Sequence, residues 1–357
     1  MSFHEILIAV MAGFAVLGAA DRILGDRWGL GKQFEEGVMA MGSLALAMIG
    51  IVCLAPVLAA VLKPVVVPLY GFLGADPAMF AGTILASDMG GGALAVQMTQ
   101  DPEAAMLGGV ITGSMLGATL VFTLPVAMGI LREEDRPAMA KGILCGIVTV
   151  PVGVLVGGLT AGFPVGMVLR NLIPIVLIAV LIALGLWRAE TAMVKGFAIF
   201  GKGVVALVTA GLAAAIGEGL TGYAVIPGMA PISEGFETVG TIAILLAGAF
   251  PLVFLLTKLL RRPLMAVGRL LGINDAAAAG LIASLANSIA TFGMVKDMNP
   301  RGKVVNIAFA VSAAFVFGDH LGFTAGFAPK MIGPMILGKL AGGISAVAVA
   351  LWITKKD

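Results

Sequence analysis

Charge is scarce in this chain. Asp, Glu, Lys and Arg make up 12% of its 357 residues, where a soluble domain carries about 25%. Histidine is limited to His4 and His320, and cysteine to Cys53 and Cys145. Both cysteines lie inside apolar runs, which favours packing over a disulfide or a metal site. No Cys/His metal-ligand spacing is present, and no cofactor is implied. The chain lacks a Gly-rich phosphate loop with its lysine, which argues against an ATP-driven pump. It also lacks GxSG and GxGD patterns, so intramembrane serine or aspartyl hydrolysis has no obvious nucleophile–base or acid pair. The net charge of +2 is too small to argue for nucleic acid. No basic stretch precedes the first apolar run, which reads as a retained helix and not as a cleaved signal.

What remains is apolar. Hydrophobic residues make up 60% of the chain, and runs of about 20 recur from Phe3 to Trp352, each long enough to span a bilayer. The fold class is therefore an all-α polytopic membrane protein in a lipid bilayer. The 50 glycines and 17 prolines suit close helix packing and broken helices.

The chain also resembles itself. Glu36 and Glu234 lie 198 positions apart, and the same ungapped shift pairs Gly37 with Gly235, Gly74 with Gly272, Pro102 with Pro300, Ser114 with Ser312 and Lys141 with Lys339. Such a match divides the chain into a first transmembrane repeat (1–160), a connecting helix (161–195) and a second repeat (196–357). Each half reads as the same series of apolar segments. These are 5–21, 37–62, a short 64–73, a broken 78–98, 104–131 and 142–160, then 203–217, 236–257, 263–271, 276–295, 303–323 and 339–353. With the connector at 169–187, this predicts roughly 11–13 hydrophobic segments.

Basic residues set the orientation. If the short and broken segments both cross or both fold back, 17 of the 22 Lys and Arg, including Arg22, Lys32, Arg132 and Lys258, share one side. Lys63, Arg170, Arg269, Lys330 and Lys339 take the other. This predicts the N-terminus outside and the C-terminus in the cytoplasm. It also sets the two repeats in opposite orientations, a transporter signature in which discontinuous helices meet at the midplane.

The broken segment Ser87-Asp88-Met89-Gly90-Gly91-Gly92 is the candidate site. A charge at membrane depth costs ~2.5–3.5 kcal/mol on insertion scales and is a functional candidate by default. Three glycines disfavour continuous helix, and unwound backbone survives only against protein or a wet cavity. The repeat-related segment offers Asn287, Ser288, Thr291 and Phe292. The bland alternative is that Asn287 only bonds a neighbouring helix. Asp88, Gly90, Gly91, Asn287, Ser288, Thr291 and Phe292 are thus the expected binding residues for something small and positive. Asp319-His320 is the only Asp-His pair, predicted near the outer surface, where it could relay protons, sense pH or merely cap a helix. Glu218 could draw a cation to the outer mouth or be a solvated loop acid. Glu36 and Glu234 read as helix caps. Asp21, Arg22, Asp26 and Arg27 read as local ion pairs, and 132–136 as a solvated turn.

The stretch from Arg22 to Met48, with Gly74-Ala-Asp-Pro-Ala-Met-Phe-Ala-Gly-Thr83, Ser87-Asp-Met-Gly-Gly91, Ser233-Glu-Gly-Phe-Glu-Thr-Val-Gly-Thr-Ile242 and Phe317-Gly-Asp-His-Leu-Gly-Phe323, resembles the EutH family of ethanolamine permeases over essentially the whole chain. The resemblance implies a bacterial inner-membrane protein, not an enzyme, that admits ethanolamine to a utilisation pathway feeding a cobalamin-dependent lyase. The chemistry agrees, because an aliphatic amine is largely protonated at pH 7 and its ammonium wants a carboxylate and an aromatic face. The alternatives are a channel-like pore and a proton-coupled carrier for another small amine or polar metabolite. A homo-oligomer is left open.

Overall fold

The computed structural model describes residues 3–356; residues 1, 2 and 357, which close the two expected repeats, lie outside it, as do the side chains of Arg261 and Lys356 from the charge split. Among the described residues every regular element is helical. Seven of the described helices are long and apolar enough to cross a membrane. The chain is a multi-pass α-helical membrane protein.

Helix α1 spans Phe3–Ile23 and α2 spans Leu30–Phe72. The expected segments 37–62 and 64–73 are one helix, running through Pro56, Pro64 and Pro68. Proline removes one backbone donor, but inside a bundle neighbouring segments and local adjustment compensate, so a membrane helix can continue through it. The same merging occurs in α9 (Ile232–Leu270), which absorbs 236–257 and 263–271 across Pro251 and Pro263. Between them α8 (Val165–Thr221) fuses the connector with the segment expected at 203–217, bending where Ala189 leaves helical geometry (φ −144°, ψ 48°). Six of the expected segments are thus joined into three longer helices.

The two broken segments fold back as hairpins. In the first, α3 (Ala78–Ile84) and α4 (Gly91–Met98) flank the tip, and the base is closed by the Thr99 hydroxyl donating to Asp76 (2.7 Å). In the second, α10 (Asp275–Ala286) and α11 (Ser288–Met294) meet at Asn287. Its base is closed by Asn274 Nδ2 donating to the Asp297 carbonyl (2.8 Å) and Asn299 Nδ2 to that of Gly272 (3.1 Å).

Each hairpin lies against a long segment of its own half. Helix α5 (Pro102–Ile130) winds as a π-helix over Leu107–Gly117 and Thr119–Thr123, and its glycines accept the first hairpin at very close range. A Cβ on Gly82 would sit 1.8 Å from the Gly108 carbonyl oxygen, and one on Gly117 1.9 Å from that of Leu85. After α6 (Arg136–Ile147) and α7 (Val150–Thr160), the second hairpin is followed by a different arrangement. The segment expected as one helix at 303–323 is split into α12 (Pro300–Ala313) and α13 (Asp319–Phe327). The linker turns at Phe315 (φ 62°) and lies along the second hairpin, Phe315 N donating to the Ser284 carbonyl and Phe317 N to that of Leu285. The last span carries α14 (Ile332–Ile353).

Three local expectations change. Asp135, read within a solvated turn, is 1% exposed and pairs with Lys303. Asp21 is not an ion-pair partner: it is buried and accepts from the backbone of Trp28, Leu30 and Gly31 (3.1, 2.9 and 3.0 Å), turning α1 into α2. Arg22 pairs with Glu35 at 3.2 Å instead. Lys339, counted above with the loop charges, is 1% exposed inside α14, because that helix starts seven residues earlier than the apolar pattern suggests.

Candidate substrate site

Asp88 sits on the short 3-10 turn Ser87–Met89 at the first hairpin's tip, where Ala86 is extended and Gly90 takes a left-handed φ of 94°. Gly90 is needed there twice over, since a Cβ would also lie 2.2 Å from Ile51 Cγ1. Gly91 N donates to the Ala86 carbonyl and closes the turn. Gly90 and Gly91 therefore aim Asp88 rather than line a cavity with it.

The carboxylate opens on a cavity of about 160 Å³ that also receives Asp319, His320, Phe122, Phe315 and Ser43. His320 Nε2 lies 3.7 Å from Asp88 Oδ1, and the imidazole is 3% exposed. Phe315 leans on the His320 ring at 5.4 Å and meets Phe122 edge-on at 5.5 Å. The Asp-His pair expected near the outer surface thus faces Asp88. The reason is the break at 314–318: a continuous helix would have carried Asp319 onward, whereas the turn at Phe315 brings α13 back beside the first hairpin.

Asn287, Ser288, Thr291 and Phe292 are not among the residues lining this cavity. Asn287 borders a second one of about 260 Å³ with Glu36, Gln33, Phe254, Phe317 and, again, Asp319. Glu36, expected only as a cap, faces this space as well as Lys32 (4.0 Å). Thr291 is buried and staples the second hairpin, its hydroxyl donating to the Gly280 carbonyl and meeting Ser284 Oγ, both at 2.9 Å. Ser288 and Phe292 are buried beside it. Glu218, half-buried at the end of α8, lines neither cavity and lies with Glu234 near Cys53. Thr291→Val is expected to lower the thermal midpoint, at ~1 kcal/mol for the lost hydrogen bonds, with substrate affinity unchanged. Thermal melts and binding on one preparation check it.

The cavities follow one another along α2 and α9. Gln33 and Glu36 border the second, Ser43 and Ala47 the first, and Met48 and Val52 a small one of about 50 Å³ with Ser87, Gly90, Phe323, Phe327 and Thr238. Along α9 the order reverses, from Thr257 to Thr238. A wider opening of about 530 Å³ continues the series to Lys258. These cavities become smaller from the Lys258 end towards Asp88, and the smallest is lined by Phe323 and Phe327, whose rings stack 4.9 Å apart.

The sequence profile described as "Ethanolamine utilisation protein, EutH" matches residues 3–353. The chain belongs to the EutH family. It is 59% identical over 356 residues, all of this chain and 95% of the relative, to "Probable ethanolamine permease EutH" of Listeria monocytogenes serotype 1/2a (strain 10403S). It is 52% identical to "Uncharacterized protein YxeR" of Bacillus subtilis (strain 168), over 99% of this chain and 96% of that one. It is 48% identical to "Probable ethanolamine permease EutH" of Escherichia coli (strain K12), over 100% and 97%. The EutH relatives carry the name of a probable permease and not of an enzyme. No solved structure matches the chain.

Sequence reasoning missed Phe122, Phe315 and Ser43, whose residue types carry no signal in a chain this apolar. It also passed over Lys339, whose signal was available: a lone lysine in an otherwise uncharged run from Met331 to Ile353.

Proposed function

We propose that this protein imports ethanolamine as its ammonium form across the bacterial inner membrane, by alternating access around Asp88. The observation that carries the reading is the carboxylate at the hairpin break, facing a cavity walled by aromatic rings and a second carboxylate. A cation over an aromatic face gains ~0.5–2 kcal/mol, and the pair of acids offsets the loss of water around an ammonium. Asn287 and Glu36 line the exit, and Asp319, which borders both cavities, passes the substrate to them. The names of the relatives supply the substrate.

The alternating-access part rests on inverted repeats. Helices α2 and α9, related by the shift of 198, pack antiparallel: Gly37 meets Ala247, and Gly235 meets Ile49. Both end in a left-handed glycine, Gly74 and Gly272, before a hairpin closed at its base. Alternation then means rocking one half against the other around a fixed site. The basic residues favour a cytoplasmic Lys258 end, with the N-terminus outside, and in that orientation this conformation opens inward. The decrease in cavity size towards Phe323 and Phe327 favours a carrier over an open pore.

Counterflow tests the reading. Proteoliposomes preloaded with unlabelled ethanolamine should draw labelled ethanolamine to a transient overshoot and saturate with concentration. Influx that never saturates and shows no overshoot is the channel result and would end the carrier reading.

A further inference from the structure

Lys339 has no part in the site as described, yet it sits at membrane depth with 1% exposure. An ammonium there is costly, and its compensation is a single hydrogen bond to the main-chain carbonyl of Ser114 in the π-helical part of α5. Among the described residues no carboxylate stands within ion-pairing distance of it. It is nonetheless next to the site: Ser114 follows Gly113, where a Cβ would lie 3.1 Å from the backbone nitrogen of Ser87, the residue before Asp88. Nearby, Ser312 packs on Gly342, close to one turn along α14 from Lys339, and its hydroxyl is buried without a partner, as is His320 Nδ1. Buried polar orphans of this kind call for an explanation beyond packing.

Charge supplies one. Asp88 and Asp319 bring two negative charges to the cavity and Lys339 returns one positive charge to its neighbourhood. One unit of negative charge is left over. A substrate ammonium on Asp88 cancels it, and so does a proton on His320, whose Nε2 faces the same carboxylate. No other charge faces His320 among the described residues. Helix α9 packs on α13 through Ile242 and Leu246, α2 brings Ser43, Leu44 and Ala47, α5 brings Phe122, and Lys330 on the turn after α13 is exposed.

We infer that Lys339 is a built-in cation that leaves the site room for one more positive charge, so that the ammonium and a proton on His320 are alternative occupants and the protein exchanges one for the other. The inference rests on Asp88 holding the ammonium. On one side the ammonium binds and the His320 proton leaves to that side's water; on the other the ammonium leaves and a proton returns. The net movement equals that of the free amine. It is blind to membrane potential and accumulates ethanolamine on the acidic side.

Proteoliposomes of the full chain with a lumenal pH dye decide it, with protein-free vesicles subtracted. Exchange makes the lumen more alkaline in step with labelled uptake, and a potassium–valinomycin potential leaves the rate unchanged. Uptake driven by an inside-negative potential without that pH change overturns exchange and leaves the Asp88 reading standing; loss of dependence on Asp88 would overturn both. In the wild type, one pH unit of acidification below the His320 transition weakens ethanolamine binding about tenfold, because the proton competes. In Lys339→Met the retained His320 proton replaces the missing charge, so acidification strengthens binding instead. The same pH direction in a monodisperse Lys339→Met protein reduces Lys339 to packing and overturns its role. If that variant does not fold, His320→Gln decides: net uptake, which needs the proton-loaded return, should fall at least about tenfold further than counterflow, which does not. Equal losses overturn the inference.

Discussion

Asp88→Asn is expected to cut ethanolamine counterflow by at least about a hundredfold, because removing one member of a buried charge pair costs roughly 3–5 kcal/mol. The amide keeps the shape of the side chain and its place on the Ser87–Met89 turn. What it removes is the charge that an ammonium needs after shedding its water. Asp319→Asn should lose less, since Asp319 borders two cavities and belongs to the path as well as to the final site. The pair therefore separates holding from passage. Labelled uptake at matched membrane levels is the measurement. Asp88→Asn transporting at the wild-type rate would show that Asp88 is not the counter-charge.

Much of the architecture is written in the sequence through simple physics. Apolar runs must be helices because lipid offers their backbone no partner, and a carboxylate among glycines cannot sit in an unbroken, lipid-facing one. Segment boundaries were less legible. Pro64 and Pro263 mark breaks by local preference, yet α2 and α9 run through them, because the missing hydrogen bond is a local cost that packing on both sides can absorb. The reverse error occurred at Phe315. An uninterrupted apolar run from 303 to 323 gives no warning of a break, and the turn there is stabilised by tertiary pairing with Ser284 and Leu285.

That one break explains why only half of the site could be read in advance. Asp88 is conspicuous by depth alone. Its partners depend on which way the chain turns after Ala313, and the shift of 198 pointed to Asn287 as the opposite number. The shift of 198 proved a poor guide to the cavity, because it pairs Phe315 with Gly117, where α5 keeps winding past the hairpin. The Asp-His pair thus reaches the centre from a segment whose counterpart carries no charge between Leu107 and Leu131.

Gly82→Val should be the most damaging change outside the cavity. A Cβ at Gly82 would stand 1.8 Å from the Gly108 carbonyl oxygen and 2.8 Å from Gly113 N, distances that no rotamer can relieve because both neighbours are backbone. Overpacking a core costs ~1–3 kcal/mol when side chains can shift; here the hairpin itself must withdraw from α5. Withdrawal moves the tip, and with it Asp88, so transport should be lost even in the fraction that folds. Gly42→Ala provides the contrast, since nothing lies within 4 Å of its Cβ position. Size-exclusion profiles and uptake should show Gly42→Ala near wild type and Gly82→Val depleted in monodisperse protein, with what remains inactive. Normal transport by Gly82→Val would mean that the hairpin does not rest on α5 as closely as this packing requires.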